Sequence, residues 1–120
     1  MRIPKFEAQT EWNIPTEFPD LRQVEEIAID LETKDPDLKE KGSGSVIGNG
    51  DVIGIAVATN GFKGYFPIAH EGGGNMDRKK VLEWLKDILE APSTKVFHNA
   101  MYDVCWLRQL GFKINGDIVC

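Results

Sequence analysis

Cysteine is scarce in this sequence. Only Cys105 and Cys120 occur in 120 residues; they form no Cys-x-x-Cys pair and have no histidine at zinc-finger spacing. A disulfide scaffold and a structural zinc module are thereby excluded. Basic charge is also short: 14 Lys and Arg stand against 19 Asp and Glu, a net charge of −5. No cationic field is available to hold nucleic acid by charge alone. That excludes a histone-like or helix-turn-helix binder, but not an enzyme whose metal ions offset the acidity. No apolar run approaches the ~18 residues of a membrane span, and the start Met-Arg-Ile-Pro-Lys-Phe-Glu has no hydrophobic signal core. The expectation is a cytoplasmic protein, off the membrane, with reduced thiols. The glycines at 42, 44, 48 and 50 are followed by no Gly-Lys-Ser/Thr and open no Gly-x-Gly-x-x-Gly helix, so a phosphate-binding loop is excluded too. What is present, 42% hydrophobic and 28% charged residues, suits one globular domain at most.

Residues 1–23 hold three of the six prolines and show no sustained period, which reads as an irregular lead-in; the domain proper is expected over 24–120. Ile27, Ile29 and Leu31 alternate with Ala28, Asp30 and Glu32, the pattern of a strand with one apolar face, and Pro36 blocks its continuation. Residues 34–50 form a long charged, glycine-rich loop, either a solvated insertion or a part of the site at the first strand's end. Val52–Ala58 is nearly all apolar and predicts an internal strand, Asn60-Gly61 a two-residue hairpin, and Phe62–Pro67 an antiparallel third strand. His70–Asn75 reads as a flexible connector. Asp77 caps a helix reaching about Leu89, with Val81, Leu82, Leu85, Ile88 and Leu89 on one stripe, and Ala91-Pro92 ends it. Lys95–His98 is a short strand. Asn99 caps a second helix whose inner side is Val104, Leu107 and Leu110, with Gly111 just past its end. Gly116–Cys120 reads as a turn entering another strand.

The order β-β-β-α-β-α-β predicts an antiparallel meander extended by two right-handed crossovers. The expected fold is an α/β mixed sheet of strand order 3-2-1-4-5, the ribonuclease H-like architecture, truncated as its fifth strand begins. One face of that sheet would then be short of helix cover.

The sharpest chemical feature is Asp30-Leu31-Glu32-Thr33. Residues two apart in a strand point the same way, so Asp30 and Glu32 share a face at the strand's C-terminal end. Two adjacent carboxylates repel unless protonated or bridged by cations, and hard oxygen ligands suit Mg²⁺ or Mn²⁺. The plain alternative is a strand end that meets water. The second feature is His98-Asn99-Ala-Met-Tyr102-Asp103. With strand four parallel to strand one and next to it, Asp103 in the following helix's first turn faces Asp30 and Glu32. The helix dipole alone is the plain alternative for its placement. Asn99 either caps the helix only, or also touches a bound strand or an acidic ligand.

Asp-Leu-Glu-Thr at 30–33 resembles the first motif of the DnaQ-like 3′→5′ exonucleases, and Asn99-Ala-Met-Tyr-Asp103 resembles the second. The likeness covers about residues 24–120 and is nearest to the proofreading domain of bacterial or phage family A DNA polymerases. It implies metal-dependent hydrolysis of the 3′-terminal phosphodiester of single-stranded DNA, releasing nucleoside 5′-monophosphates. It also implies two divalent ions, Mg²⁺ or Mn²⁺, held by Asp30, Glu32 and Asp103 as catalytic ligands. Under the same resemblance Leu31, Thr33, Asn99 and Tyr102 meet the terminal nucleotide or shape the site, Asp117 is structural, and a polymerase domain follows in cis. A ribonuclease D-like RNA exonuclease would share these motifs, and a non-catalytic binding or scaffold domain would share the fold.

The family's third motif, a Tyr or His three or four residues before a last Asp, has no counterpart in the 120 residues. The resemblance therefore implies a piece of a longer polymerase, inactive or nearly so by itself, which binds metal weakly. Uncovered sheet surface at Ile118 and Val119 is expected to be buried by another copy of the chain or by the lead-in around Trp12. Trp84, Trp106 and His98 are expected to pack rather than react, and Cys105 to be inert. His70, beside Glu71, has no second ligand at metal spacing.

Overall fold

A computed structural model describes residues 14–15, 17–34, 44 and 50–120. Trp12, Pro36 and most of the 34–50 loop, with Gly42 and Gly48, lie outside the described residues, so the readings placed on them stay expectations. The described elements are β1 (Glu26–Lys34), β2 (Asp51–Thr59), β3 (Phe62–Pro67), α1 (Arg78–Glu90), β4 (Thr94–Phe97), α2 (Ala100–Gln109) and β5 (Ile118–Val119). One mixed sheet runs β3-β2-β1-β4-β5. Its pairs are antiparallel across β1–β2 and β2–β3, and parallel across β1–β4 and β4–β5. This is the ribonuclease H-like, DnaQ-like topology.

The alternation in β1 sorts its side chains. Ile27, Ile29 and Leu31 enter the core with Val52, Ile55, Val57, Phe66 and Phe97, and α1 covers them with Val81, Leu85, Ile88 and Leu89. Each of these side chains withdrawn from water contributes about 1.5–3 kcal/mol. Asp77 begins α1 by accepting the Lys80 N–H at 3.2 Å. The lead-in touches the same core through Phe18, whose ring lies 5.9 Å from Phe66 and 5.7 Å from Trp84. The Trp84 indole donates to the Pro19 carbonyl at 2.7 Å, so its place is half in the core, as its spacing predicts.

At the end of α1 the fully buried Lys95 ammonium donates to the carbonyls of Ala91, Ser93 (2.9 Å) and Asn115 (2.8 Å). Three carbonyl dipoles replace its water, although desolvation still lowers its pKa. This cation closes the turn that leads back to β5. Helix α2 ends in a Schellman pair: Gly111 N–H bonds Arg108 O at 2.9 Å and Phe112 N–H bonds Leu107 O at 3.0 Å, with Gly111 at φ 91°.

Ladder β1–β2 skips Ile53, since Glu32 pairs with Gly54 but Thr33 with Val52. The Ile53 carbonyl then accepts both Ile68 N–H (2.9 Å) and Ala69 N–H (3.1 Å), which ties the segment after β3 to the bulge. The segment beyond, read from its glycines as a flexible connector, is pinned as well. The Asn75 side chain accepts the His70 N–H at 2.8 Å and donates to the His70 carbonyl at 2.9 Å. Composition misses this because one asparagine amide supplies both bonds.

Candidate functional site

The parallel register Ile29↔Phe97 sets the middle of β1 beside the end of β4, so Asp30 follows in line with His98. Asn99 then turns the chain into α2, its side chain accepting the Tyr102 N–H at 3.4 Å, which is the capping role. Asp103 lies one helical turn in, 2% exposed. Burial first, and then the charge of Asp30, push its pKa up to about 7, against the opposing pull of the Asn99 backbone N–H. Asp30 is pushed up to about 6, chiefly by burial; His98 and the Leu31 N–H pull it down and Glu32 pushes it up. The two aspartates are thus electrostatically coupled across the β1–α2 junction, and His98, which is exposed, acts on Asp30.

A second link ties the same elements. Thr33 Oγ1 and Tyr102 Oη are 2.7 Å apart, joining the end of β1 to the first turn of α2. Tyr102→Phe removes this bond while keeping the ring, and is expected to cost about 1 kcal/mol in urea unfolding. An unchanged midpoint would show that the junction is held elsewhere.

Glu32 takes a different partner. Its Oε2 accepts the Tyr65 hydroxyl at 2.6 Å, and the same hydroxyl meets His70 Nε2 at 2.5 Å. Burial and the Glu32 bond push the Tyr65 pKa upward, so the phenol keeps its proton. Among the described residues, no three His, Cys, Asp or Glu side chains converge as a ready-made metal cage. The structure brings together Asp30 with Asp103 and Thr33 with Tyr102, and turns Glu32 toward Tyr65. Leu31, 6% exposed, belongs to the core cluster and not to the carboxylate face.

The donor set nonetheless suits a hard cation. Asp103 Oδ2 is buried and makes no hydrogen bond. A carboxylate oxygen in that state calls for a proton or a cation, and the coupled Asp30 brings a second carboxylate, an oxygen ligand of the kind Mg²⁺ and Mn²⁺ take. Trp106 is 3% exposed with its indole N–H also unpartnered, and its ring packs edge-on to Tyr102 at 6.4 Å, in keeping with a packing role. Asp117 is exposed and contributes its backbone carbonyl to the Lys95 N–H at 2.8 Å. Cys105 and Cys120 are free and exposed.

Motif reading did not single out Tyr65, although a signal was present. A two-residue turn at Asn60-Gly61 fixes Thr59↔Phe62, and counting back gives Ala56↔Tyr65. Since Asp30 pairs with Ala56, Tyr65 stands in the row of the acidic face. Gly54, which pairs with Glu32, leaves the way between Glu32 and Tyr65 open, because a Cβ there would collide with the Tyr65 phenol.

No protein-family model matches the chain. The chain is similar to a DNA-directed DNA polymerase of Pseudomonas phage M6, 40% identical over 81 residues. The match covers 64% of this chain and spans only 12% of the phage protein's length. Among the described residues no helix is long and apolar enough to cross a membrane. The chain thus joins a ribonuclease H-like sheet to a partial likeness to a DNA-directed DNA polymerase.

Proposed function

We propose that this chain belongs to the 3′→5′ exonuclease unit of a DNA polymerase, which hydrolyses the terminal phosphodiester of a single-stranded 3′ end to nucleoside 5′-monophosphates. The observation that carries this reading is the electrostatically coupled Asp30–Asp103 pair, with Asp103 buried and one of its carboxyl oxygens left without a partner. The phage polymerase relative favours DNA over RNA as substrate and a polymerase domain in cis as partner.

Asp30, Glu32 and Asp103 would hold two divalent ions, Mg²⁺ or Mn²⁺. When bound, such ions acidify water and stabilise charge at phosphorus and at the departing 3′ oxygen. The chain's own residues set the stage for this. Asp103, shielded from water, and the partly shielded Asp30 supply carboxylates whose negative form a bound cation would stabilise. Thr33 and Tyr102 lock the strand end to the helix that carries Asp103, keeping the carboxylates at fixed separation. No side chain need act as a nucleophile. An unstacked 3′ end enters at least cost, which favours a frayed mismatch.

The test uses the polymerase that carries this segment, with a labelled single strand. Shortening from the 3′ end, release of 5′-monophosphates and abolition by EDTA are expected. Cleavage inside the strand, or activity untouched by EDTA, would overturn the reading.

A further inference from the structure

We infer that Tyr65 and His70 are positioning residues that fix the orientation of the Glu32 carboxylate for a divalent cation, an inference that rests on the proposed role of Glu32 as a ligand.

The geometry has three layers. Tyr65 reaches Glu32 from β3 across the row of β2, a path open only because Gly54 has no side chain. Carboxylates only accept, so the single phenolic proton lies on the 2.6 Å bond to Glu32 Oε2. His70 Nε2 therefore meets the hydroxyl as a donor, with its proton on that nitrogen. His70 is 3.9 Å from Glu32 Oε2, beyond hydrogen-bond reach, so it acts on the carboxylate through Tyr65.

The His70 segment is built to hold that ring in place. Asn75 clamps the His70 backbone from both sides at 2.8 and 2.9 Å. The preceding Ile68 and Ala69 hang on the bulged Ile53 carbonyl. The following Glu71 reaches back to Lys34 at the end of β1, 2.6 Å away. A loop that only joined a strand to a helix would need none of these ties. Directed donor chains of this kind orient metal ligands, and removing one link typically weakens metal affinity ~10–100-fold.

The experiment is a Mn²⁺ titration of this chain by electron paramagnetic resonance. Wild type, Tyr65→Phe, His70→Ala, Glu32→Gln and the double variant Tyr65→Phe/Glu32→Gln are compared, each first checked for a native thermal transition without metal. Tyr65→Phe is expected to weaken Mn²⁺ binding about tenfold and His70→Ala about threefold, with the metal-free transition little changed. In the Glu32→Gln background, Tyr65→Phe should cost nothing further, because its effect passes through that carboxylate. If wild type binds no Mn²⁺, the ligand role of Glu32 fails and the inference falls with it. If wild type binds and Glu32→Gln weakens it while Tyr65→Phe stays within about twofold, the inference alone is overturned. An equal Tyr65→Phe loss in both backgrounds also overturns it. Should Tyr65→Phe not fold, an unchanged affinity in His70→Ala decides against it, since His70 is a surface-side residue whose loss spares the core.

Discussion

Above neutral pH, and without divalent cations, Asp103→Asn is expected to unfold later than the wild type, by on the order of 2–4 kcal/mol. The Asp103 carboxyl has a pKa of about 7 in the fold against 3.8 for a free side chain. Between those values the folded chain keeps the proton and the unfolded chain releases it. The unfolded state then binds fewer protons, so stability falls as pH rises through the window and stays low above it. Asp30, raised to about 6, adds to the same slope over the lower part of that window. Asp20, lowered to about 2 by its Arg22 partner, has the opposite sign, but it is exposed and titrates below the window. Melts at pH 5 and pH 8 in EDTA check this: the wild type should lose stability between them and the variant should lose much less. Mg²⁺ or Mn²⁺ should restore the wild type at pH 8 and do little for Asp103→Asn. A wild type that is more stable at pH 8 than at pH 5 would show that Asp30 and Asp103 are not the dominant titrating groups.

Most of the fold was legible because its signals are local. Alternation at Ile27, Ile29 and Leu31, the Asn60-Gly61 turn, the Asp77 and Asn99 caps and Gly111 each act within a few residues. The observed elements follow them closely, with β3 at Phe62–Pro67 and α1 one residue beyond the expected Leu89. Strand order followed from connection lengths and handedness. What was not legible depends on contacts between distant segments. Lys95 reads as an ordinary surface lysine in a strand, and only the return of the chain at Asn115 gives its buried ammonium a third carbonyl. Likewise, the skipped Ile53 is set by how β1 and β2 end together.

The site divides in the same way. That Asp103 lies near Asp30 could be reasoned from β4 running parallel beside β1, although β1 continues to Lys34 past the end of β4. The orientation of Glu32 could not be reasoned from its motif. Sharing a strand face with Asp30 suggests that both carboxylates point to one ion, yet Glu32 leans to a phenol two strands away. The cause is a third partner, Tyr65, given room by Gly54. A motif states which donors are present, while the packing around them decides where each oxygen goes.

Asp30→Ala is expected to lower 3′→5′ exonuclease activity at least ~10³-fold in the polymerase that carries this segment, a loss on the order of 4 kcal/mol of transition-state stabilisation. Asp30 is the hinge of the site: it is next in line to Glu32 on β1, is coupled to Asp103 on α2, and sits beside His98 at the end of β4. Losing it leaves the remaining two carboxylates without the charge between them. Asp103→Ala should cost a comparable factor, and the double variant should be little worse than either single one, because groups that act as one unit lose their function together. Polymerase activity on a primed template should be unchanged in all three, which separates a lost site from a lost fold. The fold should survive, since each substitution removes a carboxyl group held at an unfavourable pKa and no apolar core side chain. Single-turnover digestion of a 3′-labelled single strand measures the effect. Losses that multiply in the double variant would mean the aspartates act independently, and residual activity within about tenfold of wild type would move the chemistry to other residues.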